Sequence, residues 1–223
     1  MIPWEHLDTA KIPDSEGELR LMRRGTEYSI MTGGIELMNS RLSGSEKALA
    51  TLACAKIAGR PAPRVLIGGL GMGFTLRAAL DALPADAQVV VAEIAPQVVG
   101  WARGPLAHLF GDSLNDPRVT VALGDVAIPI AKAKAEFDAM LLDVDNGPGG
   151  LDRAANDDLY GPAGLVAARD ALKSGGVLAV WSADPNDGFF RLLRRGFSVE
   201  QKKVSATGTG RGAWHIVWLA AKA

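Results

Sequence analysis

An α/β fold carrying a mostly parallel sheet is what this 223-residue chain predicts, and three observations predict it. From Arg64 onward, strand-like and helix-like segments alternate. The first of these strands runs straight into a glycine loop, RVLIGGLGMGF over Arg64–Phe74. The chain then closes in two β-rich runs, Phe197–Val204 and Ala213–Leu219, separated by the glycine-bearing loop Ser205–Gly212. Alternation implies a parallel sheet covered on both faces. The closing pair implies an antiparallel hairpin at one edge.

Taken in order, the alternating segments are Val65–Ile67, Phe74–Leu83, Val89–Glu93, Pro96–Ala102, Val119–Leu123, Val126–Ala133, Phe137–Asp143, Gly164–Leu172, Val177–Trp181 and Gly188–Arg195. Ahead of them, Leu19–Arg24, Glu27–Thr32 and Ile35–Ser40 are short strand-like runs broken by Gly25 and the Gly33-Gly34 pair, which reads as a small meander. Ser43-Gly44-Ser45-Glu46 has the Ser-x-x-Glu spacing of a capping box and opens the alanine-rich helix Lys47–Ala58. Pro61 and Pro63 mark a linker. The expected organisation is an N-terminal meander plus helix over residues 1–60 and a nucleoside-binding domain over residues 61–223. The first dozen residues and Ser15–Glu18 lack periodicity and are expected to be loosely ordered.

Composition narrows the function classes. With 24 basic against 25 acidic residues and no basic run, the footprint of a nucleic-acid binder is missing. No apolar run reaches the roughly 18 residues that span a bilayer, and the polar start MIPWEHLDTAK lacks a signal-peptide core, so no membrane association and a cytoplasmic location are expected. The single cysteine, Cys54, rules out an internal disulfide and reads as a small buried side chain. His6, His108 and His215 are scattered and no metal-ligand spacing appears, so no metal is expected. The five tryptophans read as core residues, with Trp181 at a strand end that can reach a pocket.

The glycine loop carries the strongest functional signal. Gly68, Gly69, Gly71 and Gly73 let the backbone turn tightly and approach a ligand, and the amides opening the next helix favour polar or anionic groups. Glu93 ends the following strand 20 residues after Gly73, where a carboxylate can accept from both hydroxyls of a ribose. Phe74 stands where the dinucleotide fingerprint has its third glycine, which favours an S-adenosylmethionine-type nucleoside over NAD. Asp125, after Gly124, suits an adenine amine or a helix N-cap, with Val126 packing on the ring.

Asp143 and Asp145 close the fourth strand, in Asp143-Val144-Asp145-Asn146-Gly147-Pro148. Two residues apart on an extended chain, they face one pocket and suit binding or deprotonating an amine; the same residues are also ordinary turn formers. Tyr160 reads as a helix-start anchor.

With these residues in view, the chain from about Leu19 to Leu219 resembles the spermidine synthase-like family, a branch of the class I S-adenosylmethionine-dependent methyltransferase fold. The carriers are the N-terminal β segment with Glu46, the Gly68–Gly73 loop, Glu93, Gly124-Asp125, the Asp143–Pro148 turn and Leu172–Val177. The resemblance implies a Rossmann-like, mostly parallel seven-stranded sheet. It also implies a donor that is S-adenosylmethionine or its decarboxylated form, a small amine or polyamine acceptor, and self-association as a homo-oligomer, expected as a dimer.

Four departures accompany it. Gly71 stands where spermidine synthases carry a loop aspartate that holds the donor's propylamine. Ala48-Leu49-Ala50-Thr51 replaces their Tyr-His-Glu cluster, Asp143 and Asp145 are two rather than three apart, and Ile67 replaces the acid usual in methyltransferases. The reading is methyl transfer to a small amine, with aminopropyl transfer as the alternative and a non-catalytic nucleoside-binding protein as a third.

Overall fold

The fold, taken from a computed structural model, is described for residues 2–13, 17–144, 147–148 and 158–223. It contains a four-stranded antiparallel sheet, in order β1 (Glu5–Lys11), β2 (Glu18–Arg24), β3 (Glu27–Thr32) and β4 (Ile35–Asn39). Helix α1 (Gly44–Lys56) follows. The second sheet is built from β5 (Arg64–Gly68), β6 (Gln88–Glu93), β7 (Val119–Leu123), β8 (Phe137–Leu142), β9 (Leu172–Ser182), β10 (Ser198–Ser205) and β11 (Trp214–Ala221). Its order is β10-β11-β9-β8-β5-β6-β7. Strands β5 to β9 are parallel to one another, and β11 pairs antiparallel with both β9 and β10. The seven-stranded α/β sheet and its closing hairpin are those expected.

Helices cover both faces, and the period of two in the strands decides which residues meet which helix. Val65, Ile67, Val89, Val91, Ala139, Leu141 and Ala179 pack with α1, with α2 (Phe74–Ala82), with α3 (Pro96–Arg103) and with Leu21 and Ile30 of the small sheet. Their neighbours Leu66, Met140, Leu142, Leu178 and Val180 face the other side, against α5 (Ala127–Lys132), α6 (Pro162–Ala171) and α7 (Asp187–Leu193). A short α4 (Ala107–Phe110) lies after α3. Strand β8 is buried at all six positions, as a central parallel strand must be, and each such Leu or Phe contributes about 1.5–3 kcal/mol.

Three expectations need correction. The first dozen residues are not loose: Glu5–Lys11 pairs antiparallel with β2. Its apolar pattern is weak because only Ala10 is buried. The Ser43 capping box does not form, for the Ser43 side chain makes no cap and Glu46 accepts instead from Ser45 Oγ at 2.7 Å. Not all five tryptophans are core residues, since Trp4 and Trp214 are exposed.

Helix α1 follows the small sheet in sequence but packs against α2 and β9. Its start is locked to the β10–β11 turn. Gly44 N donates to Ala206 O at 2.8 Å, and a Cβ on Gly44 would stand 2.6 Å from both Gly208 Cα and Thr207 C. Only glycine permits this approach.

Gly44→Ala is therefore expected to cost about 1–3 kcal/mol through main-chain collision. Gly100→Ala, in α3 with open space around it, is expected to gain up to about 1 kcal/mol from helix propensity. Urea midpoints of the two variants check both; a neutral Gly44→Ala would contradict the close approach.

Candidate functional site

Parallel strands deliver their loops to one edge of the sheet, and the order around β5 reverses there, with β8 on one side and β6 on the other. Ligands bind at such a switch point. Two cavities meet at this edge and share Leu37, Met38, Gly71 and Asp143.

The first cavity collects most of the expected nucleoside site. Gly69, Gly71, Glu93, Asp125, Val126 and Asp143 line it, together with Ile94 and Val98. Gly69 and Gly71 have φ of +90° and +50°, so the loop depends on them. A Cβ on Gly71 would touch Met38 Sδ at 3.0 Å. Glu93, 7% exposed, accepts from Leu70 N and from Ala95 N, each at 2.9 Å. One carboxylate thus ties the glycine loop to the turn after β6. Burial raises its pKa and the surrounding amides oppose that rise. Asp125 accepts from Ala127 N at 2.8 Å at the start of α5 while lining the cavity.

Gly68 and Gly73 are not in the wall of this cavity. Gly68 lies beneath Val126, whose Cγ2 would be 3.0 Å from an added Cβ. Gly73 lines the second cavity and faces the Phe110 ring, with Cδ1 at 2.6 Å from the place of a Cβ.

The second cavity is lined by Ser45, Glu46, Asp143, Trp181 and His215, by Glu36, which is engaged by Asn39 and Arg41, and by Leu42, Met72 and Phe74 among apolar groups. Asp143 Oδ2 accepts from Thr75 Oγ1 at 2.7 Å. Burial pushes the Asp143 carboxyl up to about 6. Glu46 rises to about 7, through burial first and then the nearby Asp143 charge. Asp143 and Glu46, facing one cavity without an ion pair among the described residues, favour a cation there and hold protons when none is present. Trp181 lies edge-on to His215, ring centroids 4.8 Å apart, and its buried Nε1 has no acceptor among the described residues.

Asp145 lies outside the described residues. Tyr160 is buried, edge-on to Phe189 at 5.6 Å, as an anchor should be. Cys54 is buried, and its thiol is pushed up to about 11. Sequence reasoning did not read Glu46 as a pocket acid, nor His215 and Met38 as pocket residues. A lone histidine in the apolar run Ala213–Leu219 was the one available signal for the second of these.

Both carboxyls hold a proton more tightly folded than unfolded, from starting values of 3.8 and 4.5. The stability they lend is full below about pH 4 and lost as pH rises through about 6 to 7. Glu46→Gln is expected to gain on the unaltered protein between about pH 4 and about pH 8, by on the order of 1–3 kcal/mol. The cost of weakening the Ser45 bond is common to both ends. Paired urea titrations check this, and a gain independent of pH would contradict the burial of the acid pair.

No family model matches the chain. In sequence it is 37% identical over 116 residues to putrescine N-methyltransferase 2 of Nicotiana attenuata, covering 52% of this chain and 29% of the relative. It is 32% identical over 127 residues to the polyamine aminopropyltransferase of Nitrosomonas europaea, covering 57% and 37%. The matched stretch is thus well under half of those relatives' length. In structure it is similar to the spermidine synthase from Thermotoga maritima, with a TM-score of 0.77 at 23% identity, over 98% of this chain and 73% of the other. A spermidine synthase in complex with the transition state analogue AdoDATO gives 0.76 at 22% identity, over 98% and 72%. The fold is that of the spermidine synthases, and the spermidine synthase-like resemblance read from the glycine loop, Glu93 and the Asp143 turn fits the relatives found by sequence and by structure alike.

Proposed function

We propose that the chain is a transferase that moves an alkyl group, most simply methyl, from an S-adenosylmethionine-type donor in the first cavity to a small amine in the second. The observation that carries this reading is Asp143, which lines both cavities at their junction. When bound, the donor supplies an alkyl group on a positively charged sulfur. The residues of the first cavity suit its nucleoside part. Ile94, Val98 and Val126 form an apolar slot, Glu93 is the ribose carboxylate, Asp125 stands at the adenine edge, and Gly69 and Gly71 make the positive-φ turns that bring the loop backbone into the cavity wall.

In the second cavity the reacting nitrogen arrives as an ammonium ion and must lose a proton before attack. Asp143, held by Thr75 and with its pKa lifted towards neutrality, is suited to orient that nitrogen and accept the proton. Asp145 is the second candidate from the same turn. Glu46 supplies a further anion for a cationic acceptor.

Methyl transfer is favoured by Gly71. With the thioether of Met38 against it, the loop offers no carboxylate to an aminopropyl ammonium. The Nicotiana relatives, by name methyltransferases acting on putrescine, support the same reading. Aminopropyl transfer from the decarboxylated donor is the second reading, favoured by the likeness to an aminopropyltransferase over 57% of the chain.

Calorimetric titration with S-adenosylmethionine, its decarboxylated form and NAD checks the donor, and binding of S-adenosylmethionine in preference to the others is expected. Asp143→Asn is expected to leave donor affinity within about threefold and to lower kcat about 100-fold with a diamine acceptor. Binding of none of the three sinks the donor assignment. A dimer is also proposed, because β1 and β4 leave open edges on the small sheet; a monomeric mass by light scattering at micromolar concentration would refute it.

A further inference from the structure

We infer that His215 is a positioning residue of the second cavity, joined through the Ser45 hydroxyl to the Glu46 carboxyl in a hydrogen-bonded chain that carries a proton from the reacting amine to the molecular surface. The inference rests on the reading of that cavity as an amine site.

The chain is built across the fold. His215 Nδ1 lies 2.9 Å from Ser45 Oγ, and Ser45 Oγ lies 2.7 Å from Glu46 Oε2. These residues are 170 positions apart in sequence and meet because Gly44 lets the start of α1 rest on the β10–β11 turn. Ser45 is fully buried, and its hydroxyl takes both of its partners from within the protein. Trp181 fixes the imidazole plane from the side.

A hydroxyl donates one proton, so the chain has two settings. In the first, Nδ1–H donates to Ser45, and Ser45 donates to ionised Glu46. In the second, protonated Glu46 donates to Ser45, Ser45 donates to bare Nδ1, and the ring proton is on Nε2. The second setting holds one proton more than the first. Passing from second to first moves a proton from Glu46 to Oγ, another from Oγ to Nδ1, and releases one from Nε2. His215 is half-buried beside the exposed segment Gly210–Trp214, which gives that proton an exit.

The charged groups around the chain are few. The Asp184 charge, from the loop after β9, acts on the imidazole, Asp143 and Lys47 act on Glu46, and Glu36 of β4, 3.6 Å from Arg41, lines the same cavity. Burial disfavours the imidazolium and Asp184 opposes that effect, so the ring works as a neutral relay and not as a resident cation.

The reaction requires such an exit. An ammonium acceptor loses one proton to Asp143, which passes it to Glu46 in the same cavity and so sets the chain in its second state; the nitrogen then forms the N–C bond as the donor's C–S bond breaks, and the bonding pair leaves with sulfur. The product amine is again a cation and sulfur becomes neutral, so each turnover releases one proton. Nothing is oxidised or reduced.

The test uses the full chain with a linear diamine and with each of the two donors. His215→Ala is expected to lower kcat about tenfold or more near neutral pH with donor KM unchanged, and imidazole in the buffer should restore most of the loss. His215→Asn keeps a hydrogen-bond donor but cannot titrate. It is expected to melt like the unaltered protein, to stay slow, and to lose the pH dependence of kcat that the ring contributes. Ser45→Ala, which removes the middle link, is expected to be slow as well. Unchanged kcat in both His215 variants, or a loss that imidazole leaves in place, overturns the relay. An unaltered protein that turns over neither donor removes the amine reading itself and the relay with it, so the two failures are told apart.

Discussion

The approach of the Asp143 carbonyl to Gly69 sets the rest of the site. Strands β5 and β8 run side by side, and Asp143 N donates to Gly68 O at 3.0 Å, one rung beyond the last paired residues. At Gly69 the chain turns with φ +90°, and the Asp143 carbonyl occupies the place where a side chain would begin. Gly69 N donates in turn to Ala92 O of β6 at 2.9 Å. Three strand ends are therefore pinned at one point, and the glycine loop and the acid turn leave it together. A side chain at position 69 would part them and open the junction where the two cavities meet.

Buried and half-buried carboxyls serve the edge of this sheet in two contrasting ways. Glu93 is surrounded by main-chain amides, so its negative charge has partners in place and its task is to hold two loops in register. Asp143 and Glu46 have one hydroxyl each, from Thr75 and Ser45, and face a shared space. Neither is ion-paired among the described residues, and burial raises both pKa values, opposed only in part by these hydroxyls and, at Glu46, by Lys47. Asp138, at the opposite edge, shows what a purely structural acid looks like. It is fully engaged by Arg60, Lys173 and the Arg64 amide, and its pKa is lowered.

The parallel sheet was legible because its strands are short, apolar and separated by helical spacing, and the β-hairpin because Trp214–Ala221 has no helical period. The cavity proposed for the nucleoside was legible as a cluster for a related reason: Gly69, Gly71, Glu93 and Asp125 each sit at or just beyond a strand end, and strand ends can be counted along a sequence. The cavity proposed for the acceptor was not. Glu46 looked like the partner of Ser43 because local spacing allows a capping box, and only the neighbouring Ser45 and the distant Asp143 give it another task. His215 and Met38 enter through contacts across the whole chain, which no local pattern records. Strand β1 escaped because Glu5–Lys11 buries a single alanine; its place comes from pairing, not from hydrophobicity.

Met38 has a consequence for chemical selectivity. Its sulfur rests against Gly71 on a wall common to both cavities, so the space beside the loop is bounded by a soft, uncharged group and not by a fixed anion. A site of this kind discriminates between donors by the room it withholds. Under the proposed reading, the length of the group transferred is set by how far one thioether can swing, and a change of reaction would require a change in volume at position 38 as much as a change in charge at position 71.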